Sequence, residues 1–114
     1  MKELLITLLL MLLVPPEPMP LGTFECTAYC SCSTCCGAWA DGITYTGVQA
    51  VENRTIAVDP NVIPLGSVVE INGQKYVAED IGGAIKGNHI DIYMDSHTDA
   101  LAWGVQHHAV YPVE

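Results

Sequence analysis

Asn72-Gly73 lies between two β-prone runs, residues 68–71 and 74–79. Both residues tolerate the positive φ that a two-residue hairpin turn demands, so the dipeptide predicts a β-hairpin. Other short β-prone runs recur along the chain. In residues 23–29, Phe24, Cys26 and Ala28 alternate with Thr23, Glu25 and Thr27, the period of a half-buried strand. Residues 55–58, 90–94 and 108–113 read as further strands, and Pro64-Leu65-Gly66 as a turn. Residues 30–47 read as loop. One helix of about two turns is expected around Ala100-Leu101-Ala102-Trp103, with Ser96 as its cap, Asp99 completing a capping-box-like pattern and Gly104 ending it. Many short strands, turns between them and one small helix predict a mainly β fold, a small closed barrel.

The first fourteen residues read as a separate piece. Lys2 precedes an apolar run from Leu4 to Val14 that only Thr7 interrupts. The run is too short to span a bilayer and matches the apolar region of a signal peptide. Export is the expectation, with an uncleaved membrane tether as the first alternative and a disordered tail on a cytosolic protein as the second. Residues 15–22, rich in proline, read as a stiff linker that cannot continue a helix. Residues 23–114 then form one domain with a single small core. Eleven of the thirteen acidic residues, all but Glu3 and Glu17, lie beyond the leader and linker, against Arg54, Lys75 and Lys86. Such a surface argues against nucleic acid or anionic lipid as partner and suits a neutral or mixed-charge substrate such as a glycan.

All five cysteines, Cys26, Cys30, Cys32, Cys35 and Cys36, fall within eleven residues. In an exported protein the preferred reading is disulfide stapling of the loop, with a thiol left over. A metal site is the second reading, because Cys32-x-x-Cys35 has the spacing of half a zinc knuckle. No second such pair follows, so a closed site needs all its ligands from this loop or from a distant histidine. A catalytic thiol is the third, although no local motif places a base nearby. His89, His97, His107 and His108 show no metalloprotease spacing; His97 follows the helix cap and is read as bonding locally. No metal and no cofactor enter the preferred reading. Trp39 suits stacking on sugar or packing under the loop, and Trp103 suits the core.

Three aspartates end or interrupt apolar runs: Asp59 in Ala57-Val58-Asp59-Pro60, Asp80 in Ala78-Glu79-Asp80-Ile81-Gly82-Gly83, and Asp91 in Ile90-Asp91-Ile92-Tyr93. A carboxylate in apolar surroundings, or near another carboxylate, holds its proton to higher pH. That is the property of a general acid. Gly82 and Gly83 let a backbone approach its ligand closely. Lys86-Gly87-Asn88 suits a turn that folds Asp91 back towards Asp80. Asp59 and Asp80 each have a simpler reading as turn residues. Asp91, in a strand where aspartate is disfavoured, has a simpler reading only as a solvent-facing position.

The runs Phe24-Glu25-Cys26-Thr27-Ala28-Tyr29-Cys30, Thr44-Tyr45-Thr46-Gly47, Ile63-Pro64-Leu65-Gly66 and the three aspartate segments, extended to Lys86-Gly87 and to Asp95-Ser96-His97, resemble the 3D, or three-aspartate, domain family. The resemblance covers nearly everything from Thr23 to Tyr111. It implies a six-stranded double-psi β-barrel with one or two short helices, like the catalytic region of membrane-bound lytic murein transglycosylase A. It implies a secreted or envelope-associated bacterial enzyme that cleaves the glycan strands of peptidoglycan and leaves 1,6-anhydromuramyl ends. It places Asp91 as acid, with Asp80 and Asp59 as its catalytic companions, and Tyr29, Thr46, Gly82, Gly83 and Lys86 as sugar-binding. Barrels of this kind also suit exchange of strands between two protomers. A wall-binding or wall-remodelling module without catalysis is the first alternative, because fold does not fix activity. A metal-binding protein built on the cysteines is the second.

Overall fold

A computed structural model describes residues 18–36 and 40–114. The expected leader, residues 15–17 of the linker and Trp39 lie outside the described residues. Asn72 and Gly73 have φ of 50° and 83°, the left-handed turn that joins β3 (Val68–Ile71) to β4 (Gln74–Asp80). The pair is antiparallel, with Ile71 opposite Gln74 and Val68 opposite Val77. Ahead of this hairpin come β1 (Gly22–Tyr29), α1 (Ser33–Cys36) and β2 (Thr55–Ala57). After it come β5 (His89–Tyr93), α2 (His97–Trp103) and β6 (Gln106–Val113).

The six strands close into a barrel in the order β1-β5-β2-β4-β3-β6. Two pairs are parallel, β1 with β5 and β2 with β4, and the others antiparallel. Closure leaves no strand with a free edge. Strand alternation fills the interior: Phe24 and Cys26 from β1, Ile56 from β2, Val69 and Ile71 from β3, Ile90 and Ile92 from β5, and Val110 from β6 are all buried. Each such branched side chain removed from water contributes about 1.5–3 kcal/mol.

α2 forms as its sequence predicts. The Ser96 hydroxyl accepts the Asp99 amide at 3.3 Å, and Gly104 ends the helix with φ of 66°. The helix lies against β1, where the Trp103 indole donates to the Cys26 carbonyl at 2.9 Å. Trp103 thus packs on the core rather than within it. The stretch expected to be loop carries α1, a single turn in which the Cys35 and Cys36 amides both donate to the Cys32 carbonyl.

Candidate active site

β2 lies between β4 and β5, and this order brings two aspartates together. Ala57 stands opposite Asp91 across the β2–β5 pair. Through a register shift after Ile56 it also stands opposite Asp80 across the β2–β4 pair. A methyl group between the two carboxyl-bearing strands leaves an open space, and Ala57, Asp80 and Asp91 line one cleft of about 710 Å³.

Asp91 is half-buried. Burial pushes its carboxyl above the ordinary range, and the neighbouring charge of Asp80 adds to the effect; a hydrogen bond from Thr27 and the charge of His89 offset part of it. Thr27 faces Asp91 in register across β1 and β5, and its hydroxyl donates to Asp91 Oδ1 at 3.0 Å. The same hydroxyl is 2.9 Å from His89 Nε2, so Thr27 links the imidazole to the Asp91 carboxyl.

Asp80 is held as an acceptor. The Tyr29 hydroxyl donates to Oδ2 at 2.8 Å. The Tyr45 and Ile81 amides each donate to Oδ1 at 3.0 Å. Tyr29 keeps its proton because burial, followed by the charge of Asp80, pushes the phenol far up. Its ring meets Tyr93 edge-on with centroids 5.5 Å apart. The paired rings make one wall of the cleft.

Asp59 is used differently. It lies outside the residues that line the cleft and accepts backbone amides: Asn61 at 3.0 Å on Oδ1 and Gly87 at 2.9 Å on Oδ2. These bonds hold its carboxyl below the ordinary range. Its turn with Pro60 and Asn61 is the simpler reading of the sequence. The bond to Gly87 also ties down the loop that connects Asp80 to Asp91.

The expected sugar-binding residues separate in the same way. Tyr29, Gly82 and Gly83 line the cleft, whereas Thr46 and Lys86 do not. Thr46 sits beside the cleft, with its hydroxyl 3.0 Å from that of Thr44 and its amide on the Glu79 carbonyl. Gly82 and Gly83 differ: a Cβ on Gly82 would fall 2.8 Å from Ile85 Cγ1, while one on Gly83 meets nothing within 4 Å. Ile43 and Tyr45 also line the cleft, on a loop closed by the Ile43–Gln49 bridge. Tyr45 is 67% exposed, the most exposed of the tyrosines, tryptophans and phenylalanines among the described residues, and a flat face for a sugar ring. Sequence reading passed over Tyr45 in favour of its neighbour Thr46, and passed over Thr27 altogether. A tyrosine in a glycine-bounded loop was the available signal for the first; strand register, invisible in the sequence, was needed for the second.

The cysteines do not act as one group. None of the five is joined in a disulfide in this structure, and the sulfurs of Cys30 and Cys32 stand 3.0 Å apart. Cys26 faces the core, with its thiol towards the Phe24 carbonyl. Cys36 donates to the Cys30 carbonyl at 3.1 Å. Cys30, Cys32 and Cys35 converge beside His97. Cys35 and Cys36 also line the cleft.

Comparison with known proteins places this geometry among relatives. Residues 54–113 match the family model of the 3D domain. The cell wall-binding protein YocH of Bacillus subtilis is 52% identical over a region that covers 57% of this chain and 24% of YocH. The membrane-bound lytic murein transglycosylase A homolog of Buchnera aphidicola is 43% identical, over 42% of this chain and 17% of that protein. Among solved structures, E. coli MltA with bound chitohexaose superposes with a TM-score of 0.55 at 27% identity, over 63% of this chain and 27% of MltA. A second crystal structure of MltA from E. coli gives a TM-score of 0.53 at 30% identity, with the same coverage. The chain therefore spans about a quarter or less of the length of these relatives.

Proposed function

This chain belongs to the 3D domain family, and from that membership we propose that it cleaves the glycan strands of peptidoglycan by lytic transglycosylation, with Asp91 as acid and then base. The observation that carries the proposal is the state of Asp91: a carboxyl pushed up by burial, oriented by Thr27 and facing an open cleft beside Asp80. Such a carboxyl keeps its proton nearer to neutral pH, where a general acid must hold it.

Protonated Asp91 donates to the glycosidic oxygen as the bond from that oxygen to the sugar C1 breaks. The C6 hydroxyl of the same sugar then attacks C1, and its proton passes to the Asp91 carboxylate. The C1–O6 bond closes the 1,6-anhydro ring, and Asp91 regains the proton it gave. No water is consumed and no enzyme nucleophile is needed, unlike the paired-carboxylate hydrolases. Asp80, fixed by Tyr29 and two amides, supplies negative charge beside the positive charge that develops at C1. Asp59 acts as a positioning residue, through its hold on Gly87. Gly83 and the face of Tyr45 line the path of the glycan.

Purified sacculi incubated with the protein should release 1,6-anhydromuramyl products, and Asp91→Asn should release none while still binding the sacculi. Equal release by both proteins would remove Asp91 from the role of acid. The name of YocH favours a second reading, wall binding without cleavage. Binding with no soluble product from the wild-type protein selects it.

A further inference from the structure

We propose that Cys30, Cys32, Cys35 and His97 form a tetrahedral site for a zinc ion, which clasps the wall of the cleft to the barrel. Zinc binding there is independent of what the cleft cleaves. The ligand atoms of the four residues all lie within 4.8 Å of one another. Cys30 Sγ is 3.0 Å from Cys32 Sγ and 3.4 Å from Cys35 Sγ. His97 Nδ1 is 3.5, 3.3 and 3.4 Å from the sulfurs of Cys30, Cys32 and Cys35.

Proton sharing does not account for this arrangement. An imidazole nitrogen has one N–H or one lone pair, directed along one line, yet three sulfurs stand around Nδ1 at nearly equal distances. A shared cation does account for it. With Zn–S bonds of about 2.3 Å and Zn–N bonds of about 2.0–2.1 Å, the edges of a tetrahedron are roughly 3.5–3.8 Å. The sulfur–nitrogen distances come within about 0.3 Å of these edges, and the Cys30 sulfur needs to part from those of Cys32 and Cys35 by roughly 0.8 and 0.4 Å. A disulfide would use two of these sulfurs and leave the third thiol and the imidazole without a role. Three soft thiolates and an imidazole select zinc over calcium or magnesium, and a full set of four protein ligands marks a structural site.

The fold supplies the ligands from rigid parts. Cys30 directly follows β1. Cys32 directly precedes α1 and Cys35 lies within its single turn, which is closed by the Cys35 and Cys36 amides on the Cys32 carbonyl. His97 is the first residue of α2, placed by the Ser96 cap. α2 is anchored to β1 at its other end by Trp103. Zinc would therefore join the end of β1, the α1 turn and the start of α2. Tyr29 immediately precedes Cys30, and Cys35 lines the cleft, so the clasp fixes the wall that carries the partner of Asp80.

The test uses the full chain, purified without chelator and examined by native mass spectrometry and elemental analysis. One zinc per chain is expected, with all five thiols alkylated after denaturation. Cobalt in place of zinc should give thiolate charge-transfer absorption and the visible bands of a tetrahedral ion. His97→Ala and Cys32→Ser should each weaken zinc by more than the roughly 10- to 100-fold that loss of an outer-shell partner costs, while Cys26→Ser retains it. Chelation of the unaltered protein should lower its melting temperature and zinc should restore it, a readout that does not require the variants to fold. A metal-free chain lighter by two protons per bridge would overturn the proposal. Equal zinc affinity in His97→Ala and the wild type would do the same.

Discussion

Asp91 binds its proton more tightly in the folded barrel than in an unfolded chain, chiefly because burial disfavours the carboxylate. The sign of the consequence for stability follows from linkage. Between the ordinary carboxyl value and the raised one, the folded state carries more protons, so stability falls as pH rises through that window and stays lowered above it. Asp91→Asn should accordingly melt at a higher temperature than the wild type near neutral pH. The difference should fade below about pH 3.9, where both states of the wild type hold the proton. An Asn variant no more stable at neutral pH would show that the carboxylate is well solvated in the cleft. The neighbouring glycines allow a second test on single atoms. Gly82→Ala pushes a methyl group onto Ile85 and should cost about 1–3 kcal/mol, read by urea denaturation. Gly83→Ala meets open space and should leave stability unchanged while weakening sacculus binding. A Gly83→Ala variant that binds like the wild type would remove close backbone approach from the reading of that residue.

β4 shows how a strand can be both an architectural and a site element. Its penultimate residue, Glu79, is buried and receives Arg54 Nε at 3.0 Å, Arg54 Nη2 at 2.6 Å and the Thr55 hydroxyl at 2.9 Å. These bonds fasten β4 to the start of β2, the same pairing that sets Asp80 beside Ala57. Arg54→Ala would leave the buried carboxylate with Thr55 alone. Since the arginine is itself half-exposed, the expected cost is about 1–3 kcal/mol, checked by chemical denaturation. The β3–β4 hairpin, the α2 cap and the strand positions were legible in the sequence, because Asn72-Gly73, Ser96 and the alternation in β1 act over a few residues. The barrel, its relatives and Asp91 as the sharpest candidate were legible through motif resemblance. Pairings between distant strands were not. Nothing local says that β1 runs parallel to β5, that Asp59 turns to Gly87, or that His97 reaches three cysteines more than sixty residues before it.

Every chemical group placed in the cleft comes from β1, β2, β4, β5 or the loops between them, yet the whole molecule depends on β6. That strand pairs with β1 on one side and β3 on the other and inserts Val110 into the core with no exposed surface. Val110→Ala should cost about 1.5–3 kcal/mol, and product release from sacculi, measured well below the melting point, should stay unchanged. Removal of residues 105–114 is a different perturbation. It frees the edges of β1 and β3 together, and two unpaired strands on a core this small cannot stay closed. Because β1 also carries Thr27 and Tyr29, opening at β6 disorders the partners of Asp91 and Asp80 at the opposite side of the same strand. The truncated chain should therefore show no cooperative thermal transition by circular dichroism and no sacculus binding. A truncated chain that still melts cooperatively would mean that five strands suffice, and that closure of the barrel is not what holds the two aspartates in register.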